Sequence, residues 1–321
     1  MKKITAALLI LTAALSSFAK SSKKEDAKLK VVTTIFPSYD WTRQILGEKA
    51  QDAELTFLLD KGVDLHSYQP TVQDIAKISN ADIFIYTGGE SDGWVKDVLK
   101  SAKGKNLTSL NLIELLGDKA KEEEIVEGMQ AEEECDDEEE EETEYDEHVW
   151  LSLKNARFLC SKITNALCEK DAAGEKIYRA NFKAYDEQLA SLDALYEKTV
   201  ADSKLKTVVF ADRFPFRYLV DDYGIKYYAA FVGCSAETEA SFKTIIFLSE
   251  KVNEHKLNYV FQIETGDGKL SRTVIQNSRN KKAGTLVLNS MQSVSAKDIK
   301  KGTSYLETMQ KNLEVLKTGL N

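Results

Sequence analysis

The chain has 321 residues, 43% of them hydrophobic and 30% charged, with 13 Phe, 13 Tyr and 3 Trp. That is enough apolar material for packed cores, so a wholly disordered chain is excluded, and 3 Pro with 16 Gly exclude collagen-like and linker-dominated ones. The net charge of −9 is uneven: between Lys121 and Glu147 lie 17 Asp/Glu against one Lys, and the remainder is net positive, a balance that does not support nucleic-acid binding.

Residues 1–19 read as a secretory signal peptide, with Lys2-Lys3 as the charged start, an apolar stretch from Ile4 to Leu15, and Ser17-Phe18-Ala19 as a cleavage site. The stretch is shorter than the ~20 residues of a membrane span, and no Cys follows it to carry a lipid. The mature protein is expected to be exported and soluble, cleaved after Ala19.

Lys28 to Gly117 alternates strand-like and helix-like segments. Leu29–Ile35 is a β-branched run ending at Phe36-Pro37, and Tyr39–Leu46 reads as a helix closed by Gly47. Glu54–Leu59 and Ala81–Tyr86 read as strands, Thr71–Ser79 and Trp94–Ser101 as helices. The acidic run that follows self-repels and is expected to be solvated and disordered. Ser152–Cys168 is helical again, and Ala172–Ser203 predicts one helix of roughly 45 Å, long enough to join two lobes rigidly. A second set follows, with strands at 207–210, 227–232, 258–263 and 285–288 and helices at 239–252 and 303–316.

The fold class expected is α/β: two lobes, each a largely parallel sheet with helices, joined by one long rigid helix. The N-terminal lobe spans 28–168 with an acidic insert at 121–147, the linking helix 170–203, and the C-terminal lobe 204–321.

Three His are present. His255 sits at a polar helix end and reads as a solvated surface residue. His66 lies in a strand-to-helix loop, and His148 lies where the acidic run re-enters folded structure. Imidazole nitrogens suit zinc and other first-row ions, and carboxylates can complete such a shell. The same two residues also suit structural or helix-capping roles, and chain order alone does not show that they meet. Four Cys offer no Cys-x-x-Cys pair, and Cys160 and Cys168 lie about 12 Å apart along one helix, too far for a bridge. No Gly-x-Ser-x-Gly, His-Glu-x-x-His or phosphate loop occurs, so no enzyme is expected.

Asp64-Leu65-His66-Ser67-Tyr68-Gln69-Pro70-Thr71 resembles the first metal-binding motif of the zinc/manganese ABC-transporter solute-binding proteins, the ZnuA/TroA-like family. Asp146-Glu147-His148-Val149-Trp150 resembles that family's second motif, Val31–Pro37 its first strand, and Phe216-Arg217-Tyr218 with Tyr223-Gly224 the opening of its second lobe. The resemblance implies a monomeric periplasmic protein that holds Zn²⁺, or Mn²⁺, between its lobes as transported ligand and delivers it to an ABC permease and its ATPase. The alternative is an adhesin or host-ligand binder on the same fold.

His66 and His148 are the implied ligands. The family's third ligand position falls on Arg213, whose guanidinium has no lone pair to offer, and the fourth falls at about Asn289-Ser290. Asp212 and Glu239 are therefore the candidate ligands from the second lobe, with Glu237 and Glu264 as further carboxylates near strand-end loops. All four also suit salt bridges or caps.

Overall fold

The computed structural model describes residues 28–102, 106–130, 144–235 and 239–321. The expected signal peptide and its cleavage site, residues 131–143 of the acidic run with Cys135, and Glu237 lie outside the described residues.

The N-terminal lobe runs β1 (Leu29–Thr33), α1 (Phe36–Leu46), β2 (Ala53–Phe57), α2 (Val72–Ser79), β3 (Ile83–Tyr86), α3 (Val95–Ser101), β4 (Thr108–Asn111), α4 (Leu112–Leu116) and α5 (Leu153–Lys170). Its strands are all parallel, in the order β2-β1-β3-β4. Parallel neighbours need a crossover between them, and the intervening helices supply it while covering the sheet. Val31, Val32, Phe84 and Ile85 are buried accordingly. Local chemistry sets the helix starts: Pro37 sits in the first turn of α1, and Thr71 with Asp74 forms a capping box for α2.

The linking helix is α6 (Glu175–Asp202), 28 residues and roughly 42 Å long. It touches the first lobe through Asn181 Nδ2, which donates to Ile45 O at 3.0 Å, and the second through Tyr196 Oη, which donates to Met309 O at 2.6 Å. The C-terminal lobe then runs β5 (Thr207–Phe214), α7 (Arg217–Tyr223), β6 (Lys226–Val232), α8 (Phe242–Glu254), β7 (Tyr259–Ile263), α9 (Lys269–Asn277), β8 (Gly284–Leu288), α10 (Ala296–Lys300) and α11 (Tyr305–Gly319). Its parallel order, β6-β5-β7-β8, repeats the topology of the first sheet. The expected α/β class and paired parallel sheets are what the chain adopts.

Several elements escape the sequence reading. β4 is a polar edge strand with no buried residue, and α4, α7 and α10 span at most seven residues, too short for a helical period to stand out. The strand expected at 207–210 continues to Phe214 through a register shift between Phe210 and Arg213. Such an irregularity re-aims the side chains around it.

The two lobes share a buried junction. Trp150 donates from Nε1 to Ser290 O at 2.8 Å, Tyr305 donates from Oη to Trp150 O at 2.6 Å, and Trp41 packs edge-on to Tyr305. All three rings are fully buried.

The acidic run does not stand clear of the protein at its ends, contrary to the expectation of a solvated insert over all of 121–147. Glu123 N donates to Glu144 O and Asp146 N to Lys121 O, both at 2.8 Å, which ties the two ends together. Gln130 N donates to Ala230 O at 2.9 Å alongside β6, the edge strand of the second sheet. Unpaired carbonyls of an edge strand attract such a segment, and Met129 packs against the core beside it. Among the described residues, no helix is long and apolar enough to cross a membrane.

Candidate metal centre

Loops beyond the carboxyl ends of the strands build the centre. His66 follows β2, Ser91 follows β3, Cys234 follows β6 and Gln292 follows β8. In parallel α/β sheets these ends line the crevice where ligands bind. His148 comes from the segment leading into α5, immediately before the buried Val149 and Trp150.

The two imidazoles meet edge to edge, with His66 Nε2 3.1 Å from His148 Nε2. The outer nitrogens are both taken. His148 Nδ1 lies 2.9 Å from Asp146 Oδ1, which also accepts the His148 backbone N–H at 2.8 Å. A carboxylate only accepts, so Nδ1 carries the proton and Nε2 presents a lone pair. His66 Nδ1 lies 2.8 Å from Ser91 Oγ, a hydroxyl that can donate or accept, with Glu147 Oε2 behind it at 3.4 Å. Two lone pairs aimed at each other repel unless a cation or proton lies between them. A tetrahedral ion with nitrogens at 2.0–2.1 Å separates them by about 3.3 Å, close to the distance seen. Carboxylates behind ligating histidines fix the tautomer and strengthen the donor, and Asp146 and Glu147 stand in those places.

Neighbouring residues hold this geometry. Glu147 Oε1 accepts the Ser91 N–H at 2.8 Å. Gly89 has φ +77°, and a Cβ there would lie 2.4 Å from Glu147 Oε1, so the turn needs glycine for both conformation and space. Burial pushes the Glu147 carboxyl up, but the nearby His66 ring and hydrogen bonding from Ser91 outweigh that and hold it below its usual range. Also buried beside it, Asp92 is pushed up to about 7 by burial, with the Glu147 charge adding to it against the Gly88 N–H. Asp92 Oδ1 has no hydrogen-bond partner.

Three ligand atoms cluster within 4.8 Å of one another: one nitrogen each of His66 and His148, and the Cys234 sulfur. Gly233 brings that thiol in. A Cβ on Gly233 would lie 2.8 Å from His148 Cε1 and 3.1 Å from Phe214 O, so the β6 loop passes over the ring only without a side chain. Gln292 Nε2 lies 3.1 Å from His148 Nε2 and 3.3 Å from Asp64 Oδ1.

Of the residues named from sequence, His66 and His148 come together, whereas Asp212 and Glu239 do not join them. Asp212 Oδ1 accepts the Arg213 N–H at 2.9 Å and its Oδ2 the Ile263 N–H at 3.2 Å, so both oxygens serve the backbone. Burial pushes its carboxyl up, against those two N–H groups. Glu239 is exposed. Glu264 braces the loop of Gln292, accepting from Ser290 N at 2.7 Å and Ser290 Oγ at 2.9 Å.

Arg213, on the ligand position of the resemblance, pairs with neither Asp212 nor Glu239 through its guanidinium. Its Nη2 reaches across to Asp64 Oδ2 at 2.9 Å and Nη1 donates to Ser235 O at 3.4 Å. Burial pushes the Asp64 carboxyl up, but the electrostatic and hydrogen-bonding influence of His66 and Arg213 prevails and holds it below its usual range. Asp64 Oδ1 also accepts the His66 N–H at 3.1 Å, so one carboxylate shapes the first motif and ties it to the second lobe.

Cys234 and Gln292 were not identified from sequence as site residues. Cys234 stood alone at a strand end, and nothing in its spacing pointed to His66. Ser91 had only the adjacent Gly88-Gly89 turn to mark it.

The family model described as the periplasmic component A of the zinc-uptake complex (ZnuA) matches residues 31–319. The chain belongs to this family. It is 30% identical over 321 residues to the high-affinity zinc uptake system protein ZnuA of Bacillus subtilis, covering 99% of this chain and 96% of that one. It is 33% identical over 321 residues to the zinc-binding lipoprotein AdcA of Streptococcus pneumoniae, of whose length it spans 61% against 99% of its own. Among solved structures it resembles the metal-dependent lipoprotein YcdH of Bacillus subtilis, with a TM-score of 0.74 at 29% identity over 91% of this chain and 99% of the other. The Zn(II)-bound ZnuA-like domain of Streptococcus pneumoniae AdcA gives a TM-score of 0.70 at 29% identity, with the same coverage.

Proposed function

We propose that the protein is an exported solute-binding protein that captures a divalent transition metal, zinc foremost, between its lobes and hands it to an ABC permease powered by its ATPase. His66 and His148 are the ligands on which this reading rests. The observation that carries it is the approach of their Nε2 atoms to 3.1 Å, with His148 Nδ1 held by the Asp146 carboxylate and His66 Nδ1 by the Ser91 hydroxyl, Glu147 standing 3.4 Å from it. A structural or capping role needs no such convergence of ring nitrogens.

The family description and the zinc-binding relatives support zinc as the cargo and export as the setting. The zinc-named relatives cited at 29% identity or more give the adhesin alternative no support. The reading as a carrier rather than an enzyme follows the family description, and metal is cargo in it, not a resident cofactor.

Competition titration of purified protein against a chromophoric zinc chelator tests the proposal. Wild type is expected to take one equivalent tightly, and His66→Ala and His148→Ala to lose that binding. Wild-type affinity in either variant would remove that residue from the site.

A further inference from the structure

We propose that Cys234 is the third metal ligand, bound as thiolate, and that the site is therefore built for a thiophilic ion rather than for manganese. The inference rests on the metal-carrier reading above and supplies the donor that the arginine at position 213 cannot.

Four observations converge on it. Cys234 offers its sulfur within 4.8 Å of the ligand nitrogens of His66 and His148. Those two nitrogens already stand close to the spacing that one tetrahedral ion requires. Cys234 is half-buried at the centre and forms no disulfide among the described residues. The loop that carries it lies over the His148 ring at Gly233, where any side chain would collide with the ring. Among the described residues, the second-lobe carboxylates named from sequence are committed or outside the cluster: Asp212 to two backbone N–H groups, Glu264 to Ser290, and Glu239 to the surface.

The chemistry balances within the site. As the metal–sulfur bond forms, the S–H bond breaks and the proton passes to the Glu123 carboxylate. That carboxylate accepts the Cys234 N–H at 3.4 Å and lies within hydrogen-bond reach of the thiol. Glu123 belongs to the tied-down start of the acidic run, so this part of the segment serves the site as a positioning residue. Thiolate with two imidazoles selects Zn²⁺, Co²⁺ and Cd²⁺, whereas Mn²⁺ prefers oxygen donors.

The test uses full-length mature protein carrying Cys135→Ser, so that Cys135 contributes no signal, with and without Cys234→Ser. Cobalt(II) is the optical probe and Zn²⁺ and Mn²⁺ the competing ions. Expected are a near-ultraviolet thiolate-to-cobalt charge-transfer band that Cys234→Ser abolishes, and a loss of zinc affinity exceeding the ~10–100-fold typical of removing an outer partner. Manganese affinity should change little, so the preference for zinc over manganese should collapse. A melting curve of metal-free Cys234→Ser close to that of its parent shows that folding is not the cause. Tight zinc binding without a thiolate band, or unchanged affinity in Cys234→Ser, overturns the proposal and leaves the carrier reading standing. Failure of the parent to bind zinc at all overturns both.

Discussion

Asp146→Ala should weaken zinc binding without removing any ligand. A single oxygen, Asp146 Oδ1, accepts both the backbone N–H and the ring Nδ1–H of His148, at 2.8 and 2.9 Å. Asp146 is 3% and His148 0% exposed, so water does not readily replace that acceptor. Leaving a buried donor unsatisfied costs about 1–3 kcal/mol, so two donors put the stability loss of the metal-free protein at about 2–6 kcal/mol. The ring also loses the partner that fixes its tautomer and direction, which costs about 10–100-fold in metal affinity, or about 1.4–2.7 kcal/mol. Asp146→Asn keeps an acceptor oxygen and should fall between Asp146→Ala and wild type on both scales. The assay is chelator competition for zinc beside thermal unfolding with and without the metal. The zinc-induced rise in Tm should shrink in Asp146→Ala, because ligand stabilisation follows the ratio of free metal to Kd. A variant that melts early yet binds zinc like wild type would refute the reasoning, since Asp146 would then serve folding alone.

Arg213→Ala removes the cross-lobe pair with Asp64, whose side chains are each 19% exposed. That lies between the ~0.2–1 kcal/mol of an exposed pair and the ~3–5 kcal/mol of breaking a buried one, so urea unfolding should show a loss of about 1–3 kcal/mol. Asp92 gives a pH signature: its carboxyl is pushed up to about 7 from an ordinary 3.8. Between those values the folded state holds a proton that the unfolded state has released, so stability falls as pH rises across that window, by on the order of 4 kcal/mol in all. Asp92→Asn should flatten urea-unfolding stabilities measured from pH 5 to 8, and an unchanged slope would show that Asp92 titrates normally. Deleting residues 131–143 should leave zinc affinity unchanged in titration. Deleting 122–144 should lower stability as well, because it removes Glu123, the bridge to Tyr145 and the Gln130 pairing along β6.

The alternation of strand and helix was legible because burial imposes different periods on the two, and because runs such as Val31-Val32 and Ile83–Tyr86 have no polar side to show. The long helix could be read from an unbroken three-to-four spacing. His66 and His148 could be named because each lies in a compact local pattern, and three His in the whole chain made them stand out. Their partners could not be named in the same way. Which strand-end loops meet depends on strand order, on the packing of one lobe against the other, and on the register shift in β5 around Asp212 and Arg213. None of these leaves a mark at fixed spacing along the chain. Cys234, Gln292 and the reach of Arg213 to Asp64 are therefore matters of tertiary structure. A ligand shell is a condition on distances in space, and chain order constrains those only within an element or a short loop.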